Sequence, residues 1–154
     1  DFFIVKNKKT INQNIQNTSY KDDCFDLILH QDVLEHVPDF KISIQETYRI
    51  LKPKGYSLFS IPLFTKRNKT ITRAKIINNR IIHTLEPRYH GSPLSKNGSL
   101  VFHEFGLDLF KEIKSLGINA SILLSHSILN GYFSNNNPYD IGLMWPIVIL
   151  IKKE

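Results

Sequence analysis

From residue 25 onward, apolar and polar positions fall into blocks with different lengths and periods. Phe25 to Leu29 is a short, largely apolar run without regular alternation, and it predicts a strand covered on both faces. A polar stretch follows, and Pro38-Asp39 marks a helix start with Asp39 as N-cap. Ile44, Tyr48 and Leu51 recur at i, i+4 and i+7 and define the buried face of that helix, with Glu46 and Arg49 on the opposite side. Pro53 stops the helix, Gly55 permits a tight turn, and Tyr56 to Ile61 predicts a second buried strand. Together these make a βαβ unit.

The flanks extend the pattern. Ile4 and Val5 end a short strand, and Thr10 to Tyr20 suits a short edge strand and loop before the turn Lys21-Asp22-Asp23. After Leu63 the chain makes an excursion to Leu100. Arg73 to Ile77, Asn78-Asn79 and Arg80 to Leu85 predict a β-hairpin, because Asn tolerates the positive φ of a type I′ turn. Pro87, Gly91, Pro93 and Gly98 punctuate an ordered loop around Tyr89 and His90. Leu109, Ile113 and Leu116 share one face of a second helix that Gly117 ends. Ile122 to Leu124 is a strand, Asn130 to Asp140 an Asn-rich loop, and Trp145 to Ile151 a last strand. The order β-β-α-β-hairpin-α-β-β is the back half of a doubly wound α/β sheet, without its front half.

Composition adds bounds. A chain of 154 residues with 42% hydrophobic residues suits one domain with one core. No apolar run approaches the roughly 18 residues of a bilayer span, and DFFIVKNKK has its apolar part first, the wrong order for a secretory signal. A soluble cytoplasmic protein is the default. The lone Cys24 excludes an internal disulfide and a cysteine-based zinc site, and its place before a buried strand suits an inert thiol. The net charge of +6 serves solubility and adds some attraction for anionic ligands. Asp1 at the start and a single methionine, Met144, suggest a processed or trimmed chain or a fragment of a longer gene product.

Candidate chemistry concentrates where the first strand meets the helix, the edge at which open α/β sheets bind ligands. His30, Gln31, Asp32, Glu35 and His36 cluster there. Asp32, Glu35 and His36 lie three and four apart, a spacing compatible with acid–base work or a divalent ion. The bland alternative is that Glu35 and His36 decorate a first helical turn, which favours acids anyway. Tyr89, His90 and His103 flank the excursion and can reach the same edge, although a lone loop His is more often structural. TKRNKTITRAK can track a nucleic-acid backbone or form a charge-protected hairpin edge. There is no G-x-G-x-x-G loop and no G-x-S-x-G elbow.

The string FDLI…DVLEHVPD…E..RILKPKG…SIP resembles the second half of a class I S-adenosylmethionine-dependent methyltransferase, of the type 11-like, small-substrate kind. EPRYHGSPLSKNGSLVFHEFGLDLFKEIKSLGI resembles, less tightly, the lid and following helix of one branch of that family. The resemblance implies a Rossmann-like methyltransferase sheet, N-terminally incomplete, mostly parallel with an antiparallel last strand. It implies one partial domain over residues 1–154 with a hairpin or lid insertion at about 64–100. S-adenosyl-L-methionine is the implied cofactor and a small-molecule or glycan-type acceptor the implied substrate, with nucleic acid and a membrane span not expected.

Residue by residue, the resemblance assigns cofactor binding to Asn14, Ile15, His30 and Gln31. Asn14 stands where the family usually has an Asp that bonds the adenine amine, and Ile15 lies beside the adenine. His30 and Gln31 match positions that line the methionine end. Asp32 and His36 face the acceptor, and His36 or His90 is the candidate base, so the catalytic set is His36, Asp32 and His90. Some quinone-biosynthetic relatives hold magnesium with E-x-x-E-H, of which Asp32-x-x-Glu35-His36 is a shorter-armed version, but metal-independent relatives share the DVLEH form and no metal is assigned. The family's turn Pro-Gly-Gly reads here Pro53-Lys54-Gly55. Its glycine-rich loop and the acid that grips the ribose are not in these residues, so this chain alone is expected to bind the cofactor weakly or not at all. A truncated, non-catalytic domain acting as a binding module is the alternative.

Overall fold

The structure, a computed structural model, describes residues 11–92, 95–123 and 143–154. The expected strand at Ile4-Val5 and the loop at Asn130 to Asp140 lie outside these residues. The βαβ unit forms, but the helix ends before Leu51, which opens the second strand instead of closing the helix's buried face: β1 (Phe25–Gln31), a 3₁₀ turn (Leu34–His36), α1 (Phe40–Ile50) and β2 (Leu51–Phe64). The Asp39 carboxylate accepts from the Lys41 and Ile42 amides at 2.9 and 3.2 Å, satisfying two of the free donors at the α1 N-terminus.

After β2 come β3 (Ile71–Thr72), β4 (Ala74–Ile77), β5 (Arg80–His83), β6 (Tyr89–Ser92), β7 (Ser95–Leu100) and β8 (His103–Glu104). Then α2 (Leu109–Ser115), β9 (Ala120–Leu123) and β10 (Leu143–Lys152) return to the main sheet. That sheet has the order β1-β2-β10-β9. β1 and β2 are parallel, whereas the last strand, β10, is antiparallel to both β2 and β9. β4 and β5 form the expected hairpin, with Asn78 and Asn79 at φ 50° and 59°, as a type I′ turn requires.

Both helices pack on one face of the sheet. Ile44 of α1 and Leu109 and Ile113 of α2 close over Phe59, Ile61, Leu63, Ile149 and Ile151 in a single core. On the other face Leu27 and Leu29 are 51% and 67% exposed and Tyr56 is 40% exposed. The expectation that β1 is covered on both faces is therefore corrected. Among the described residues only one layer of helices covers this sheet, and β1 pairs with β2 alone.

Two local expectations are also corrected. Residues 13–19 form a turn with one bridge, Asn14 to Asn17, rather than an edge strand, because the Asn14 side chain accepts from the Gln16 amide at 3.0 Å and closes the backbone on itself. The expected turn at Pro53-Lys54-Gly55 is an irregularity inside β2, where the pairing with β1 steps from Phe25–Leu51 to Leu27–Tyr56, and the positive φ, 67°, falls on Lys54 rather than on Gly55. Gly55 is needed for space: an added Cβ would meet the Lys52 carbonyl oxygen at 2.9 Å and the Asp26 and Phe25 carbonyl oxygens at 3.1 Å. Lys54→Gly is expected to stabilise the fold by a few tenths to about 1 kcal/mol, since an L side chain is strained in this region. A urea titration of the variant checks this, and a loss of stability would contradict it.

Candidate active site

β1 delivers its polar end to the carboxyl edge of the sheet, and the excursion folds back onto that end. The return is fixed by backbone bonds: the Phe102 amide donates to the Glu35 carbonyl at 2.7 Å and the Arg73 amide to the Phe102 carbonyl at 2.7 Å. Asp32 sits at the strand end with φ 51°. Its amide donates to the Ser60 carbonyl at 3.0 Å and its carboxylate accepts from the Ser60 hydroxyl at 3.2 Å. Strand β2 thus holds Asp32 in a left-handed conformation that Asp tolerates better than most residues.

Glu35, His36 and His90 meet beside it. The His36 Nδ1–H donates to the Leu100 carbonyl at 2.8 Å, which leaves Nε2 with its lone pair, 3.8 Å from Glu35 Oε1. His90 Nδ1 lies 4.0 Å from the same oxygen, and the two imidazole rings are edge-to-face at 5.1 Å. The Glu35 side chain is 1% exposed, and neither of its carboxylate oxygens has a hydrogen-bond partner. Burial, aided by the nearby Asp32 charge, pushes its carboxyl up to about 7. Burial lowers both histidines from the ordinary imidazole value, and His36 adds to the effect on His90.

A cavity of ≈ 190 Å³ lies along the free side of β1, walled by Ile15, Ile28 and His30 and by Glu46 and Thr47 of α1. The His30 ring stacks on Phe59 at 4.8 Å, and its buried Nδ1 has no partner. Burial holds its imidazole down at about 4, so it is neutral in ordinary buffers. Gln31 is exposed, with its amide 3.4 Å from the Asp32 carboxylate. The structure thus brings Ile15 and His30 to one cavity and Asp32, His36 and His90 to one strand end. His103 is not among them: it is buried, with Nε2 3.1 Å from the Pro38 carbonyl oxygen, and its ring packs on Phe40. Tyr89 is 52% exposed.

Two groups escaped the pattern reading. Glu46 faces inward across the cavity instead of outward. Its carboxylate takes two bonds from Arg49, at 2.6 and 2.8 Å, and two from the Thr18 amide and hydroxyl, at 2.8 and 2.6 Å, which pins the 13–19 turn to α1. The Arg49 bonds, and then those of Thr18, hold the Glu46 carboxyl down at about 2. With the unfolded value near 4.3, the bonded carboxylate adds stability that is complete above pH ~5 and drains away as pH falls toward 2. Glu46→Gln is expected to cost about 1–3 kcal/mol at pH 7 and much less at pH ~2.5, read from denaturation at both pH values. An equal cost at both would contradict this. The second group is Glu104, buried and paired with Arg67, Arg73 and Arg88. Nothing in the string HEFG signals that convergence.

A family model for the methyltransferase domain matches residues 4–59. No curated protein sequence matches the chain. Among solved structures, an S-adenosylmethionine-dependent methyltransferase from Methanosarcina mazei is similar over 92% of this chain and 65% of its own, with 15% identity and a TM-score of 0.53. One from Mesorhizobium loti is similar over 90% of this chain and 66% of its own, with 16% identity and a TM-score of 0.53. The 1,6-didemethyltoxoflavin-N1-methyltransferase from Burkholderia thailandensis, solved with 1,6-didemethyltoxoflavin and S-adenosylhomocysteine, covers 90% of this chain and 48% of its own, with 15% identity and a TM-score of 0.50. The chain thus resembles a methyltransferase domain over residues 4–59 and shares the α/β fold of these solved structures. It spans less than two thirds of the length of each of these three structures.

Proposed function

We propose that the protein carrying this chain is a cytoplasmic methyltransferase that moves a methyl group from S-adenosylmethionine to a small-molecule or glycan-type acceptor. One observation carries the reading. Within the block that matches the methyltransferase domain, Ile15 and His30 wall one cavity, and Asp32 follows at the end of the same strand that bears His30.

The residues present fit part of the cofactor. A cavity of ≈ 190 Å³ is smaller than the roughly 300–1,000 Å³ of sites that bury a whole small ligand, and it has room for one end. The unpartnered His30 Nδ1 in its wall offers a hydrogen bond. Ile15 and His30, with Asn14 and Gln31, would hold the adenine-to-methyl flank, and the bound cofactor would supply an electrophilic methyl group. Asp32, His36 and His90 are placed to orient the acceptor and take its proton, so that catalysis is mostly proximity and orientation. Residues 64–100 act as a lid that keeps water from that end.

The acceptor is favoured to carry an anionic group. Three guanidinium groups converge on the single Glu104 carboxylate, leaving an excess of positive charge close to His90. The same contacts disfavour a nucleic-acid backbone as partner, because two of the basic residues in TKRNKTITRAK, Arg67 and Arg73, are already committed to Glu104. The alternative, a non-catalytic binding module, draws support from the exposed Leu27 and Leu29. Methyl-labelled S-adenosylmethionine and a panel of anionic and neutral hydroxylated acceptors test between them. Label transfer, strongest to anionic acceptors, is expected, and no transfer to any acceptor would favour the binding module.

A further inference from the structure

We propose that Glu35, His36 and His90 form a binding site for a divalent transition-metal ion such as Zn²⁺. The inference does not depend on methyl transfer: a bound ion would occupy both imidazoles and leave Asp32 as the proton acceptor, and the site joins His36 to His90, 54 positions apart. One ligand atom from each lies within 4.8 Å of the others. The Glu35 oxygen is 3.8 Å from His36 Nε2 and 4.0 Å from His90 Nδ1. A tetrahedral ion with bonds of about 2.0–2.1 Å needs ligand atoms roughly 3.3 Å apart, so the site must tighten by about 0.5–0.7 Å along these two edges and by up to about 1.5 Å along its longest edge.

Two further observations point to an ion rather than a chance cluster. Glu35 buries a carboxylate with both oxygens unpartnered, an arrangement that costs free energy unless something compensates it. A cation between the imidazoles does so. His36 also has the orienting contact that metal-ligating histidines usually have: its far nitrogen, Nδ1, donates to the Leu100 backbone carbonyl and turns Nε2 toward Glu35. Ligand type selects the ion. Two imidazoles and one carboxylate suit zinc, iron or cobalt, whereas magnesium and calcium prefer oxygen ligands alone. Three protein ligands leave a coordination position open, as in zinc sites that bind a substrate oxygen or water.

The test is titration of the chelator-stripped whole protein with Co²⁺, followed by visible absorption, and then displacement with Zn²⁺. One Co²⁺ per chain with tetrahedral visible bands, lost on adding one equivalent of Zn²⁺, is expected. His90→Ala and Glu35→Gln are each expected to weaken Co²⁺ binding at least about 10-fold. The His90 side chain is 39% exposed, so its variant should fold, which circular dichroism verifies. It decides the outcome if Glu35→Gln does not fold. Absence of stoichiometric binding, or unchanged binding in folded His90→Ala, would overturn the proposal.

Discussion

Glu104→Ala is expected to lower the unfolding free energy by about 3–5 kcal/mol, the largest effect of any single polar substitution in the described residues. The Glu104 side chain is 3% exposed and is bonded by Arg67 and Arg88 through one nitrogen each and by Arg73 at 3.2 Å. Removing it leaves Arg73, itself 11% exposed, as a buried cation without its counter-charge. Arg73 has no cheap escape, because its other contact is the Glu86 carbonyl at 2.9 Å and its Nε has no partner. The damage should spread to the site. β8 pairs with β3 through Ile71 and Glu104, and the neighbouring Phe102 amide holds the Glu35 turn. Arg88→Ala, with a side chain 50% exposed, should cost less than about 1 kcal/mol. Urea titrations of both variants separate the cases, and a cost below ~1 kcal/mol for Glu104→Ala would show that the ion cluster stabilises little.

Asp32→Asn is expected to lower kcat by about 10²- to 10⁴-fold while leaving the cofactor Kd within about threefold. The variant isolates charge from structure. Asn adopts the φ of 51° as readily as Asp, and its amide oxygen can accept the Ser60 hydroxyl bond that the carboxylate now accepts. The backbone bond from Asp32 to the Ser60 carbonyl is indifferent to the side chain. What changes is the ability to take a proton. Steady-state kinetics with a saturating acceptor reads the difference, and a kcat within about threefold of the parent would remove Asp32 from proton transfer.

The elements set by local rules were legible in the sequence. Asp39 capping α1 and the Asn78-Asn79 turn required only a cap and a turn type, whereas the antiparallel β10 followed from the family resemblance and not from a local rule. The errors share a cause. Apolar residues at Leu27 and Leu29 resemble a buried strand, but periodicity reports what could be covered and not what covers it. Glu46 fell on the polar side of α1 by helical geometry, yet a loop crossing that side made it the anchor of the 13–19 turn. At the site, the strand-to-helix block was readable because it is contiguous. His90 joined His36 in the sequence only through its reach toward the same edge and the family resemblance, and its contact with Glu35, like the arginines around Glu104, depends on the fold of the excursion at residues 64–100 that no local rule specifies.

The most direct measurement is calorimetric titration of S-adenosylmethionine into the protein that carries this chain together with any sequence preceding Asp1. One cofactor per chain is expected, with binding weakened about tenfold or more by Ile15→Asp and by His30→Ala, which both alter the wall of one cavity. No binding, or binding that neither substitution disturbs, would contradict this.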